Sequence, residues 1–293
     1  MAEIKLENLS YFHGKDTPYE IKALDSINLT IPSGMVTGLI GHTGSGKSTL
    51  VQMLNGILRP HEGRVLLDGQ DIWEKQKNIR SVRFRVGLVM QYPEYQLFEE
   101  TVYKDIAFGP KNMGLNDDEI RVRVEEAVRF SGLPLELLEK SPFDLSGGEK
   151  RRAAIAGIIA MRPEVLILDE PAAGLDPRGR DSIFANLMEY HEQSGNTVLI
   201  VSHSMEDMAR YCDNLIVMND GKIVMQGDRD YVFSRSERLT EIGLDIPQVT
   251  KLMLTLKERG VDTDGGIYTV EQAMEQILNI YQKTLGKSLG NKT

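Results

Sequence analysis

Apolar and polar positions change period several times along the chain, and each change marks an element. Residues 4–31 read as strands, with Ile27, Leu29 and Ile31 alternating with polar neighbours in a half-buried pattern. Met35 to Ile40 is a mostly apolar run that ends at Gly41, as a buried strand of a parallel sheet would. The period then becomes helical. Leu50, Met53, Leu54 and Ile57 fall at i, i+3, i+4 and i+7, predicting a helix from Lys47 to Ile57. Asp68-Gly69 between Arg64–Leu67 and Gln70–Ile72 predicts a hairpin, and so does Asn219-Asp-Gly221 between Leu215–Val217 and Ile223–Val224. Two further short apolar runs, Val165–Leu168 and Val198–Val201, predict buried strands.

Between the strands lies a helical stretch. Asn116 can cap a helix with Glu119 in the capping-box position; Ile120, Val124, Ala127 and Val128 form its apolar stripe, and Gly132 ends it. A second helix opens after Ser146, again with an acidic residue three positions on. Strands alternating with helices from residue 35 to 201 argue for an α/β core. The antiparallel signals sit at the N-terminus and near residues 65 and 220. The last ~60 residues differ: Val249, Leu252, Met253 and Leu256 mark one amphipathic helix stopped by Gly260. Thr269 and Gln272 form a capping pair for another, striped by Met274, Ile277, Leu278 and Tyr281. Two such helices cannot form a large core alone, so their stripes pack on the main domain or on a partner. Fraying is expected from Gly286 onward.

Composition narrows the classes. With 293 residues, 41% hydrophobic and 26% charged, the chain is globular, and its length allows one large or two moderate domains. A net charge of −9 argues against nucleic acid as the main partner. A single cysteine, Cys212, excludes an intrachain disulfide and a multi-cysteine zinc site, and reads as a small core residue rather than a nucleophile. Met1–Glu7 carries no signal-peptide core, and no apolar run approaches the ~20 residues of a membrane span. The expectation is a chain soluble by itself, held at a membrane, if at all, by other subunits.

The candidate chemistry is phosphate chemistry. Gly41-His42-Thr43-Gly44-Ser45-Gly46-Lys47-Ser48-Thr49 is a complete phosphate-binding loop between a predicted strand and a predicted helix. Its glycines allow backbone N–H groups to face phosphates, and the helix start adds a positive end. Lys47 is expected to reach the β- and γ-phosphates, and the Ser48 hydroxyl to bind Mg²⁺. Val165-Leu-Ile-Leu-Asp169-Glu170 is an apolar strand ending in two carboxylates. Asp169 would hold Mg²⁺, and Glu170 would polarise the attacking water as general base. Ser146, Gly147 and Gly148 open a helix with bare N–H groups, an anion site; Ser146 and Glu149 also read as a simple capping box, and the two roles are compatible at different moments.

With Leu145-Ser-Gly-Gly-Glu149, the chain resembles the ATP-binding cassette (ABC) ATPases over residues 4 to roughly 228. The resemblance implies an α/β fold with a mixed sheet core, an inserted helical subdomain at about 95–160, and residues 1–228 as the nucleotide-binding domain. It also implies that Ser146–Glu149 binds the γ-phosphate of ATP held by an opposite subunit. Gln91 then matches the glutamine that senses Mg²⁺ and the transport partner, and Gly174-Leu175-Asp176 the D-loop at the dimer interface. His203 matches the switch histidine at the γ-phosphate. The family usually stacks adenine on an aromatic before the first hairpin; here that position falls on His13, with Tyr11 and Phe12 beside it, and which ring stacks stays open.

Gln91-Tyr-Pro93-Glu94-Tyr-Gln96-Leu97-Phe98 resembles the segment after that glutamine in energy-coupling factor (ECF) transporter ATPases, as do Glu99–Pro110 and the phosphate loop. The nearest likeness is to the second of the two ATPase subunits of vitamin and metal importers. It implies that Pro93, Glu94, Gln96 and Leu97 line a groove for coupling helices of a transmembrane T component. Glu94, Glu99 and Glu100 are then counter-charges to its arginines, or Glu99 and Glu100 are merely solvated. Residues 229–293 would be a small helical extension joining two ATPase subunits, and the partners a second ATPase, a T component and a substrate-choosing S component. The chain would lie peripherally on the cytoplasmic face of the membrane. An ordinary ABC importer ATPase with a regulatory tail is the alternative. A soluble DNA-repair or ribosomal ATPase fits less well: only about a hundred residues separate the phosphate loop from Leu145, and there is one cassette.

Overall fold

The computed structural model describes residues 2–75, 79–264 and 266–290, without the side chains of Glu94 and 283–290. Two sheets organise the chain. An antiparallel one joins β1 (Ile4–His13), β2 (Ile21–Ile31), β4 (Glu62–Leu67) and β5 (Gln70–Asp71) in the order β2-β1-β4-β5. The other runs β10-β9-β3-β8-β7-β6. Here β3 (Val36–Ile40), β6 (Val86–Val89), β7 (Val165–Asp169), β8 (Thr197–Val201) and β9 (Asn214–Asn219) are parallel, and β10 (Lys222–Asp228) is antiparallel to β9. This is the mixed α/β core that the alternation of strands and helices predicts.

Strands β3, β7 and β8 are buried at every position and mostly apolar because both faces are covered. In β7, Leu166 and Leu168 join one hydrophobic cluster, while Val165 and Ile167 join a second on the opposite face. That second cluster lies between the two sheets and includes Ile4, Leu6 and Leu29 of the antiparallel sheet with Leu50, Val51, Met53 and Leu54 of α1 (Lys47–Leu54). Each fully buried side chain of this size contributes about 1.5–3 kcal/mol relative to exposure.

Helix α1 stops three residues short of its predicted end. Gly56 takes φ +68°, its N–H bonds to Met53 O and the Ile57 N–H reaches back to Gln52 O, a Schellman stop that leaves Ile57 outside the helix and 43% exposed. Helix α2 (Ile79–Arg85) precedes β6. Between β6 and β7 come α3 (Val102–Asn112), α4 (Asp117–Ser131) and α5 (Gly147–Ile159), which pack on one another. Both predicted capping boxes form, Asn116 with Glu119 and Ser146 with Glu149, and Gly132 closes α4 in the left-handed conformation. Helix α6 (Pro177–Ser194), capped by Asp176, links β7 to β8, and α7 (Met205–Tyr211) links β8 to β9. Cys212 is buried, its thiol pushed up by that burial, so it packs and does not attack.

Among the described residues only helices follow β10: α8 (Arg229–Phe233), α9 (Ser236–Glu241), α10 (Gln248–Glu258) and α11 (Val270–Gly290). Thr269 and Gln272 cap α11 reciprocally, as predicted. The expected fraying falls partly on residues 291–293, outside the described residues; the α11 backbone is helical through Gly290. Tyr268 stacks against Phe233 at 5.5 Å, and Met253 and Ala273 are buried. Met274, Ile277, Leu278 and Tyr281, the α11 stripe, remain exposed. Among the described residues no helix is long and apolar enough to cross a membrane.

Candidate functional site

Strand β3 sits in mid-sheet between β8 and β9, so its C-terminal end delivers Gly41 beside the ends of β7 and β8. The chain then curls from Gly41 to Gly46 before α1 begins. Gly46 takes φ +101°, and a Cβ there would stand 2.6 Å from Ala23 O; at Gly41 a Cβ would meet Met218 O and Ser45 Oγ, each at 2.5 Å. The loop is therefore wedged against the β9–β10 turn and β2, and Gly221 N–H donates to Ser45 O at 3.1 Å. The α1 start carries no side-chain cap, so its N–H groups are available to an anion.

A cleft of about 540 Å³ opens over this loop. Thr43, Gly44, Gly46, Lys47, Ser48, Thr49, Gln91, Asp169, Glu170 and His203 line it. His13 lies in its wall too, with Nε2 3.3 Å from Thr49 Oγ1. Tyr11 turns away onto His61 at 4.7 Å, and Phe12 packs on the same imidazole from 5.9 Å, so His13 is the ring the fold offers to the cleft. Gly41, His42 and Ser45 frame the loop without lining the cleft; His42 Nδ1 lies 2.7 Å from Thr43 O.

The charges are arranged for phosphate and a hard cation. Lys47 Nζ donates to Gly41 O at 2.6 Å and His42 O at 3.0 Å, so its ammonium is held inside the loop. Burial pulls its pKa down, against the opposing pull of Glu170 and Asp169. Ser48 Oγ donates to Asp169 Oδ2 at 3.2 Å. Asp169 is 7% exposed, and burial raises its pKa although Ser48 and Lys47 act the other way. Ser48, Asp169 and Gln91 offer a hydroxyl, a carboxylate and an amide oxygen, the hard donors Mg²⁺ takes alongside phosphate oxygens and waters. Among the described residues no group of three or more His, Cys, Asp or Glu could hold a metal by itself.

Glu170 follows the last residue of β7 with φ +53°, left-handed for a non-glycine. Burial, then the Asp169 charge, pushes its carboxyl above the usual range. Its Oε1 has no hydrogen-bond partner of good geometry, and His203 Nε2 lies 3.4 Å away. Burial and Lys47 lower the His203 pKa, so the imidazole is neutral at pH 7. A carboxyl with a raised pKa and one oxygen free of hydrogen bonds, beside a neutral imidazole, is suited to accept a proton from water.

Two predicted motifs lie outside the cleft. None of Ser146, Gly147, Gly148 and Glu149 lines it, nor do Gly174, Leu175 and Asp176. They neighbour each other instead, a Cβ on Gly148 falling 3.5 Å from Leu175 Cδ2. Ser146 Oγ is 2.6 Å from Glu149 Oε2, and this bond and that of the Ser146 N–H lower the Glu149 pKa. Gln96 and Leu97, in and after a 3₁₀ turn at Pro93–Gln96, line a separate apolar groove of about 240 Å³ with Phe84, Phe98, Phe108 and Ala153. Pro93 is buried outside that lining, and the Glu94 side chain lies outside the described residues. Glu100 already pairs with Lys104.

Sequence reasoning missed several contributors. Asp105, 8% exposed, accepts the Phe98 and Glu99 N–H groups and shapes the groove's rim; a lone Asp in a helical run carries no signal for that. Asp220 and Gly221 reach the cleft from a turn read only as a hairpin, and Lys22 from the start of β2.

The family model described as ABC transporter matches residues 24–173. The chain belongs to the ABC transporter family. Over 279 residues it is 52% identical to the "Energy-coupling factor transporter ATP-binding protein EcfA2" of Clostridium tetani, covering 95% of this chain and 97% of that one. Within the ABC family it is thus an energy-coupling factor transporter ATP-binding protein, an ATPase. It is also similar to the solved structure of cbiO1 from Clostridium perfringens, described as part of the ABC transporter complex cbiONQ. Identity is 42%, the TM-score is 0.72, and the match covers 86% of this chain and 98% of that one. The dimeric post-hydrolysis ABC cassette MJ0796 bound to ADP and Pi matches at 26% identity and a TM-score of 0.71, over 77% of this chain and 98% of that one.

Proposed function

We propose that this ABC ATPase works as one half of an ATPase pair that powers an energy-coupling factor importer. One observation carries the reading. A single chain gathers Lys47, Ser48, Gln91, Asp169, Glu170 and His203 in one cleft and leaves Ser146–Glu149 and Gly174–Asp176 facing elsewhere. A site so divided is completed by a second subunit, whose own Ser146–Glu149 counterpart would close over the γ-phosphate.

In this reading Lys47 leaves its loop carbonyls for the β- and γ-phosphates, and α1 presents its uncapped N–H groups to them. Ser48, Asp169 and Gln91 would hold Mg²⁺, which when bound neutralises charge developing on the phosphates. Glu170 takes the proton of the attacking water, and His203 donates to the γ-phosphate. His13 stacks on adenine. Gln96 and Leu97, beside Pro93 and Glu94, form the floor and rim that receive a transmembrane T component, and S components choose the cargo. The exposed α11 stripe supports pairing of residues 229–293 with the partner ATPase. Residues 1–228 then form the nucleotide-binding domain and about 95–160 its helical subdomain. Attachment to the cytoplasmic face is through these protein partners.

Co-purification of the tagged chain from membranes tests this. Recovery of a second ATPase and a T component, without a solute-binding protein, is expected. Recovery of a solute-binding protein would favour an ordinary ABC importer, and nucleic-acid-stimulated hydrolysis without membrane recruitment would overturn both.

A further inference from the structure

Each motif that faces away from the cleft is tied back to it by one arginine. Arg151, one turn into α5, is 7% exposed. Its Nη1 donates to Glu170 O and Pro171 O, each at 3.3 Å, and to Ala173 O. The Glu170 peptide is thereby held from both sides, since its N–H donates to Val201 O at 2.9 Å. Its left-handed φ of +53° is strained for a residue with a side chain and persists only where surroundings enforce it. The Glu170 carboxyl accepts hydrogen bonds from the His203 N–H and the Ser202 hydroxyl, while Oε1 has none, so the peptide behind it and the β8 end together set where it points.

Arg180 repeats the arrangement from the other motif. It lies one turn into α6, the helix that Asp176 caps. Its Nε donates to both Asp207 oxygens at 2.9 and 3.0 Å, and its Nη2 to Asp207 Oδ2 at 2.6 Å and to Ser204 Oγ. Ser204 follows His203 directly and caps α7 through the Asp207 N–H at 3.2 Å. The planar guanidinium fork therefore grips the turn that carries His203, a grip no single-point ammonium reproduces.

We propose that Arg151 and Arg180 are positioning residues that carry the set of the Ser146–Glu149 and Gly174–Asp176 turns to the backbone at Glu170 and to the Ser204 and Asp207 side chains of the turn after His203. ATP of the partner subunit, on reaching Ser146–Glu149, then aligns the base of this chain's own site. The proposal rests on the shared-site reading above and adds the wiring between the two sites.

The test uses the full chain in its transporter complex, with Arg151→Gln, Arg151→Lys, Arg180→Gln, Arg180→Lys, Glu170→Gln and the double variant Arg151→Gln/Glu170→Gln. Nucleotide affinity is read with a fluorescent ATP analogue and turnover by phosphate release. Each Gln variant is expected to bind nucleotide within about threefold of the parent and lose tenfold to hundredfold in kcat, the scale set by an ångström of misplacement. Each Lys variant should recover part of that loss. Because Arg151 acts through Glu170, Arg151→Gln should lower the residual turnover of Glu170→Gln by less than about twofold. A kcat within twofold of the parent overturns the proposal. So does a loss of kcat matched by an equal loss of nucleotide binding, or a full additional loss in the Glu170→Gln background. Should a Gln variant not fold, its Lys counterpart is judged by the same split. If Glu170→Gln itself turns over normally, the base assignment fails, and Arg151 and Arg180 are judged on the kcat-against-binding split alone.

Discussion

Two helices in this molecule begin with glycine-rich turns, and they begin differently. Helix α1 starts after Gly46 with no side-chain cap and no acidic residue in its first turn. Helix α5 starts after Ser146 with a complete capping box: the Glu149 N–H donates to Ser146 Oγ and the Ser146 N–H to the Glu149 carboxylate, which stands at the helix start. An anion meets bare donors at α1 and an occupied, negatively charged cap at α5. The first turn is built to hold phosphate alone; the second gives up a bond of its own to do so. The difference suits a fuel site that fills first and a closing contact that forms afterwards.

The largest blow to the α1 side is loss of the base. Glu170→Gln is expected to lower ATP turnover by about 10²–10⁴, the usual range for general base catalysis, while ATP still binds. Phosphate release and nucleotide binding measured on one preparation check it; unchanged turnover in the assembled complex would remove Glu170 from the role. Lys47→Ala comes next. Losing charge-assisted bonds to phosphate, each worth about 1.5–3 kcal/mol, should weaken nucleotide binding by roughly tenfold or more. ATP-driven dimerisation should fail with it, and closure that survives without tight binding would contradict the division of labour between the two turns.

Much of this was legible because local and long-range demands agreed. The run Val165–Leu168 followed by Asp169-Glu170 is continuous because both faces of β7 are covered, and the same geometry brings its end to the phosphate loop. The Asn116 and Ser146 capping boxes needed only three-residue spacings. What was not legible depends on contacts between distant segments. The apolar spacing carried α1 to Ile57, but Gly56 in the left-handed region ended it earlier. Arg151 and Arg180 look like solvated helix charges in the sequence; one ends among backbone carbonyls and the other on Asp207 and Ser204. That His13 lines the cleft while Tyr11 packs on His61, far along the chain, is likewise a long-range contact.

The pH dependence follows from the same cleft. Burial and Asp169 raise the Glu170 pKa, so the base is protonated at a higher pH than an exposed glutamate. Turnover should fall as pH drops through that raised value, by up to about tenfold per unit, and Glu170→Gln should flatten this limb. Stability has the opposite sign. A carboxyl whose folded pKa is raised contributes stability present below its unfolded pKa and lost as pH rises through the folded one. At neutral pH the ionised Glu170 is therefore a cost, and Glu170→Gln should raise the thermal midpoint by a few degrees without nucleotide, the gain shrinking in acid. A lower midpoint at neutral pH would mean that hydrogen bonding to the carboxylate outweighs its burial.

The smallest effect returns to the α5 side and separates capping from charge. Gln at position 149 can keep the reciprocal bond to the Ser146 N–H, because a capping box accepts Glu or Gln. It removes the negative charge that Ser146 and the helix start hold in place. An arriving γ-phosphate then meets a neutral cap. The helix-end charge effect of about 0.3–1 kcal/mol, partly screened at this solvent-facing turn, predicts that Glu149→Gln tightens ATP-driven dimerisation by about two- to fivefold. Sedimentation across an ATP titration, in the Glu170→Gln background to prevent turnover, measures it. The unfolding midpoint should fall by no more than about 3 °C, because the same charge also favours the folded helix start. Weaker dimerisation with a midpoint inside that range would show that the carboxylate itself contributes to the closed state, and the contrast between an open and an occupied helix start would lose its functional meaning.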